Sequence, residues 1–348
     1  MKKTNKVTTI KYVRIVAFVL AFVLICYSLS QILFSNTRAS RYGSSFSMAY
    51  SYTDDPENSL QIAGFGNSDL MSGFVPTKLW ENYSYTSTLL SAGLMKPYRS
   101  YEMMQEFFKV QSPNLVIIEV DMFYEGSISH KAKSTDSLRD RLDSFFVTVM
   151  PERFESRVEN RFTLFRFHDR WKHISDRGKS SNATPSSHGY KYCAEIQAVK
   201  NDKYMHKTCD IEALPQDSLE SLNKMVSLCR EKGADVMLLE MPSATSWDYE
   251  RHNAVQQYAD ENGLQFVDLN VDIDGYDLNY KKDFRDSNGN HLNYYGALKA
   301  TNYIGSVISQ SYKIESRSQN PAYDYWNDYC SSFKNEITGV SAEDIKID

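Results

Sequence analysis

The sequence predicts an α/β domain, a parallel sheet sandwiched by helices, preceded by one N-terminal transmembrane helix. Three observations predict it. Short, nearly continuous apolar runs such as Leu115–Val120 read as strands buried on both faces. They alternate with longer helical stretches, two of them stopped by Gly233 and Gly263, and strand–helix alternation argues for a parallel sheet. Ile15–Phe34 is twenty residues without a charge, a match at about 1.5 Å per residue for a hydrocarbon core of roughly 30 Å.

Lys2, Lys3, Lys6, Lys11 and Arg14 precede that span without an acid among them, so the positive-inside rule keeps the N-terminus in the cytoplasm and exports the rest. A cleaved signal peptide has a shorter apolar run and a small-x-small site; no clean site follows here. Residues 35–59 are rich in Ser, Asn and Asp and read as a linker. From Leu60, LQIAGF is a short strand that runs into Gly66-Asn67-Ser68-Asp69. Pro76–Asn82 starts a helix with Pro at a favoured first-turn position. Tyr98–Gln111 is a second helix, and Asn114–Val120 a buried strand. Residues 135–170 read as helical, and about 175–212 as a polar insertion. The alternation then resumes with a helix over Leu214–Lys232, a strand over Ala234–Met241, a helix over Trp247–Asn262, a strand over Gln265–Leu269 and a helix over Tyr295–Ser311. The expected organisation is a basic segment 1–14, a membrane helix 15–34, a linker 35–59, an α/β domain 60–312 and a polar, aromatic tail 313–348 without a clear period.

Composition excludes several classes. With 42% apolar and 24% charged residues the chain is globular, and a mean hydropathy of −0.49 rules out many membrane spans. A net charge of −5 leaves no electrostatic footprint for nucleic acid. No Cys or His spacing suggests a metal site, and no cofactor motif is present. Of five Cys, Cys26 lies in the span and Cys229 reads as a small buried hydrophobe. Cys193 and Cys209 flank one polar stretch; a disulfide there or two free thiols both remain open, since connectivity does not follow from sequence.

In α/β sheets, ligands bind beyond the carboxyl ends of the strands. Ser68 follows the first strand. His291 follows the last, inside DFRDSNGNHLN at positions 283–293. Together they form a nucleophile and a base, with a carboxylate to hold the second ring nitrogen. Backbone N–H groups in the turn at Ser68 would stabilise an oxyanion. Taken singly, Ser68 reads as a turn residue and His291 as a surface or capping histidine.

The chain resembles the SGNH/GDSL hydrolase superfamily over residues 60–312, and within it the membrane-anchored branch of DltD-like and polysaccharide O-acetylation proteins. G-N-S-D-L at 66–70 resembles the G-D-S-L nucleophile block. PNLVIIEVDMFYEG, FRFHDRW, LLEMPSATSW and DFRDSNGNHLNYYGALKAT are similar to recurring DltD-like segments. The resemblance implies an SGNH-like, flavodoxin-like sheet and catalysis by Ser68, His291 and an aspartate, without a cofactor or metal. The orienting position three before the histidine holds Asn288; Asp286, five before, is the orienter if the loop bulges, with Asp283 as the alternative. Met122-Phe123-Tyr124 stand where the superfamily places its oxyanion Asn. Backbone N–H groups of Ser68 and of Gly93, in S-A-G-L, are the remaining oxyanion donors. The implied function is serine-dependent acyl transfer or ester hydrolysis on an extracytoplasmic cell-envelope polysaccharide or teichoic acid-like polymer, with a membrane-bound O-acyltransferase as partner. The other reading is a non-catalytic scaffold that binds the partner or the polymer.

Milder expectations attach to other residues. His168 reads as packing, and His188 and His206 as solvated members of the insertion. Trp247 lines the cleft or fills the core. Tyr294-Tyr295 and Tyr323–Tyr329 read as amphipathic surface, with sugar stacking as the functional alternative.

Overall fold

The computed structural model describes residues 2–33, 46–124, 187–200, 203–271 and 273–339. The helix expected over 135–170 and His168 lie outside them. The chain divides into two units.

In the first unit, α1 is one helix, Lys2–Leu33. Its stretch Lys11–Ser28 is long and apolar enough to cross a membrane.

The second unit holds a five-stranded, wholly parallel sheet: β1 (Ile62–Gly66), β2 (Ser87–Ser91), β3 (Leu115–Glu119), β4 (Asp235–Glu240) and β5 (Gln265–Asp268). The order β2-β1-β3-β4-β5 is the flavodoxin-like doubly wound arrangement, as the sequence predicts. The switch of direction at β1/β3 makes the crevice beyond their carboxyl ends the natural place for a site.

Alternate strand residues feed two cores. Ile62, Leu115, Ile117, Met237 and Leu239 join one apolar cluster with α2 (Ser68–Gly73), α3 (Pro76–Tyr83) and α7 (Tyr294–Ser311). On the opposite face Phe65 meets Phe107 edge-on at 5.9 Å. Phe107 ends α4 (Pro97–Phe107), which packs on α5 (Gln216–Glu231). α6 (Tyr249–Asn262) covers β5 and stops at Gly263, whose φ of +62° supplies the left-handed turn.

Four features differ from the sequence reading. β2 is an additional strand: Ser87, Thr88 and Ser91 are fully buried, so its hydroxyls give it a polar look that its position does not share. Residues 48–59, inside the expected linker, pack on the domain, with Tyr52 at 5.0 Å from Phe107. The tail holds α8 (Tyr325–Gly339), which buries Trp326, Cys330 and Phe333 at helical spacing. His188 is buried rather than solvated: its ring stacks on Trp326 at 4.2 Å, with Asp55 at 3.4 Å. His206 is exposed, as expected.

The Cys193–Cys209 bridge is not formed; both thiols are free. The two ends of the insertion dock on different helices. The Cys193 carbonyl accepts from Tyr294 N at 2.7 Å, at the start of α7. The carbonyls flanking Cys209, those of Thr208 and Asp210, each accept from Asn253 on α6 at 2.9 Å.

Candidate active site

The nucleophile turn is built from buried polar groups. Asn67 caps α2: its side-chain oxygen accepts from Asp69 N at 2.8 Å, and its amide donates to Asp121 Oδ2 at 2.9 Å. Behind it sits Glu119, fully buried at the end of β3. Its Oε2 accepts from Asn67 N at 3.0 Å and its Oε1 from Asp121 N at 3.1 Å. One carboxylate therefore ties the turn after β1 to the turn after β3. Gly66 is what lets it approach, since a Cβ there would lie 2.7 Å from Glu119 Cβ. Ser68, at the first position of α2, is left half-buried with its hydroxyl free to turn toward the histidine.

His291 comes from the loop between β5 and α7. That loop is pinned by an isolated bridge of Phe284 with Leu292 and by Asn293, which caps α7 through Tyr295 N and Gly296 N. The chain bulges at Gly289, whose φ is +75°, and this bulge brings Asp286 back under the ring. Ser68 Oγ lies 2.9 Å from His291 Nε2, and Asp286 Oδ2 lies 3.0 Å from Nδ1. With the proton on Nδ1, the ring donates to Asp286 and accepts from Ser68. Asp286 also accepts from His291 N at 3.1 Å and from Asn290 N at 2.8 Å. Burial alone would raise its carboxyl; the hydrogen bonds from His291 and Asn290 outweigh that and hold it below the ordinary 3.8.

The other expected orienters stand apart. Asp283 is buried and engaged elsewhere, accepting from Asn279 N at 2.7 Å and pairing with Lys299 Nζ at 2.9 Å. Asn288 is exposed, and its carbonyl accepts from Thr245 at 3.1 Å. Gly93 lies on the exposed turn after β2. The register pairs Gly66 with Ser91, so Ser68 and Gly93 each lie two residues beyond paired positions on neighbouring strands. Met122 is fully buried, and Trp247 is a core residue whose indole donates to Asp268 at 2.8 Å.

Several groups at this rim were not singled out from the sequence. Asp69 Oδ1 lies 3.4 Å from His291 Nε2, placing a second carboxylate beside the ring. Glu240, at the end of β4, is fully buried; burial and then the negative charges of Glu119, Asp121, Asp268 and Asp69 push its carboxyl well up. The sequence signal for Glu119 and Glu240 is the acidic residue that closes the apolar runs VIIE and LLE. Among the described residues, oxygens of Asp69, Glu119 and Asp121 come within 4.8 Å of one another, a spacing that a cation could use. Both oxygens of Glu119 and one of Asp121 already accept the hydrogen bonds that shape the turn.

No family model matches the chain, and no curated protein matches it. Among solved structures it is similar to a protein of Bacteroides fragilis NCTC 9343 described as an acylhydrolase, at 14% identity over 76% of this chain and 94% of that one, with a TM-score of 0.36. It is also similar to a GDSL-like lipase of Bacteroides thetaiotaomicron VPI-5482, at 12% identity over 76% and 97% of the two chains, with a TM-score of 0.33. At that distance the chemistry has to be read from the chain's own side chains: a serine, a histidine and an aspartate in hydrogen-bonded series at the carboxyl rim of a parallel sheet.

Proposed function

We propose that the chain is a serine-dependent acyl-transfer enzyme that acts, outside the membrane, on a cell-envelope polysaccharide or teichoic acid-like polymer. The observation that carries this reading is the Ser68–His291–Asp286 series, at 2.9 and 3.0 Å. Ser68 Oγ attacks the carbonyl carbon of an ester, and its proton passes to His291 Nε2. Asp286 keeps the other ring proton on Nδ1 and stabilises the imidazolium. N–H groups of Ser68 and Gly93 receive the oxyanion. As the C–O bond of the leaving alcohol breaks, Nε2 returns the proton to it and an acyl-Ser68 ester remains. A second hydroxyl, from water or from a sugar, then gives its proton to Nε2 and takes the acyl group, and Nε2 passes that proton to Ser68 Oγ as its bond to the acyl carbon breaks. Water makes the protein an esterase, a sugar an O-acyltransferase.

The basic residues before the apolar stretch of α1 favour an uncleaved anchor with its N-terminus in the cytoplasm and the α/β domain exported. An anchor raises the effective concentration of the domain at a membrane-bound acyl donor, which fits a membrane-bound O-acyltransferase partner. Protease added to intact spheroplasts then degrades the domain; a protected domain would contradict the topology.

A fluorophosphonate probe tests the chemistry. Labelling of the wild type but not of Ser68→Ala or His291→Ala is expected. If no serine reacts in the folded protein, the acyl-transfer reading fails and a scaffold that binds partner or polymer replaces it.

A further inference from the structure

Beside the serine–histidine pair, Lys191 and Arg285 have no carboxylate within ion-pair distance among the described residues. Residues 187–193 run along the edge strand β2, where Leu89 N donates to His188 O at 2.9 Å. The segment then turns onto α2, and Lys191 N donates to the carbonyl of Met71 at 2.8 Å, one turn from Ser68. Arg285 N donates to the carbonyl of His291 at 3.1 Å. The backbones that hold Ser68 and His291 therefore also hold Lys191 and Arg285.

Nη1 of Arg285 is buried and has no hydrogen-bond partner, and the same is true of the Tyr190 hydroxyl. Among the described residues, neither Lys191 nor Arg285 forms an ion pair with a carboxylate. The Arg285 charge reaches both Lys191 and Tyr190. Burial, and then the Arg285 charge, pull the Lys191 ammonium down. Burial and the neighbouring Tyr294 push the Tyr190 phenol well up, against the pull of Arg285. Lone buried donors beside like charges are unfavourable unless an acceptor of opposite charge joins them.

We propose that Lys191, Arg285 and the Tyr190 hydroxyl form a subsite for an oxyanion, a phosphate or carboxylate carried by the substrate that reacts at Ser68. The link to a substrate rests on the acyl-transfer reading; the anion binding itself does not. Guanidinium presents a planar fork of donors that fits such oxygens, and lysine adds a point charge. A polymer bearing phosphodiesters or uronic carboxylates is thereby selected over a neutral glycan. The chain as a whole is acidic, with 44 Asp and Glu against 39 Lys and Arg, so a polyanion needs a local basic seat.

Calorimetry on the full chain in detergent tests the subsite, titrating inorganic phosphate and, separately, glucuronate at ionic strength fixed with chloride. At least one anion is expected to bind the wild type, and which one does distinguishes a phosphate-bearing from a carboxylate-bearing substrate. Lys191→Gln and Arg285→Gln should each weaken that binding at least tenfold, with Arg285→Lys in between. Lys224→Gln, on α5, controls for net charge and should bind as wild type. If neither anion binds above chloride, or Lys224→Gln weakens binding equally, the subsite is refuted. Thermal melts check folding, and should Arg285→Gln unfold, Lys191→Gln carries the test alone. Ser68→Ala should still bind the anion. Anion binding without serine labelling sinks only the acyl-transfer reading, and labelling without anion binding sinks only the subsite.

Discussion

Replacing Asp286 by Asn puts the proposed chemistry at risk in a measurable way. The carboxylate accepts three hydrogen bonds: Asn290 N on Oδ1, and His291 N and Nδ1 on Oδ2. An amide has one oxygen. If that oxygen keeps His291, the amide NH2 faces Asn290 N, donor against donor. If it keeps Asn290, the NH2 faces the imidazole, the ring takes the opposite tautomer, and Nε2 can no longer accept the Ser68 proton. The second outcome costs on the order of 10⁴ in rate, by analogy with the Asp-to-Asn change in serine proteases. That is about 5.5 kcal/mol at about 1.4 kcal/mol per tenfold. Either outcome leaves one donor unmatched, for about 1–3 kcal/mol of stability. The assay is the rate of fluorophosphonate labelling, set beside a thermal melt of the same sample. Asp286→Asn should label far more slowly than wild type yet stay measurable, whereas Ser68→Ala should not label at all. A folded Asp286→Asn protein that labels within tenfold of wild type would refute the role of Asp286 as orienter.

Asp283→Asn should do the reverse: losing the charge on the Lys299 and Asn279 contacts costs about 1.5–3 kcal/mol, read as a lower melting temperature, while the labelling rate of the folded protein holds. Gly66→Ala puts a methyl 2.7 Å from Glu119 Cβ and 2.9 Å from Oε2; overpacking costs about 1–3 kcal/mol, and displacement of Glu119 from Asn67 N should slow labelling as well. The Asp286 carboxyl, titrated by NMR, should have its midpoint below 3.8 and move up in His291→Ala. Because its folded value is depressed, the stability it contributes is complete above 3.8 and is lost as pH falls through that lower midpoint.

The four strands legible in the sequence are those with strongly apolar cores, such as LVIIE and DVMLLE. β2 was not, because Ser-Thr-Leu-Leu-Ser has too few apolar residues to stand out, and only its place beside β1 buries its hydroxyls. α8 carried a readable signal, Trp326, Cys330 and Phe333, but the tyrosines among them disguised the stripe as surface. His188 could not be assigned from its polar neighbours, since what buries it is Trp326, 138 positions away. At the site, Ser68 and His291 were legible from their places after the first and last strands. Asp286 was readable as the orienter only on the condition that the loop bulges; the turn at Gly289 supplies a bulge, with Asp286 Oδ2 3.0 Å from Nδ1. Lys191 and Arg285 were invisible as a pair, because only the docking of residues 187–193 on α2 brings their backbones to one rim.

The serine and its base are 223 positions apart, and this spacing orders events during synthesis. The N-terminal end leaves the ribosome first, so β1 and its serine exist long before residues 286–291 are made. Closing so long a loop is slow and is rewarded only when the intervening sheet has assembled. Until then Ser68 is an ordinary alcohol with no base beside it. A chain truncated before residue 286 carries the serine without its base, so on the acyl-transfer reading proposed above the reactivity of Ser68 is acquired late in the maturation of each molecule.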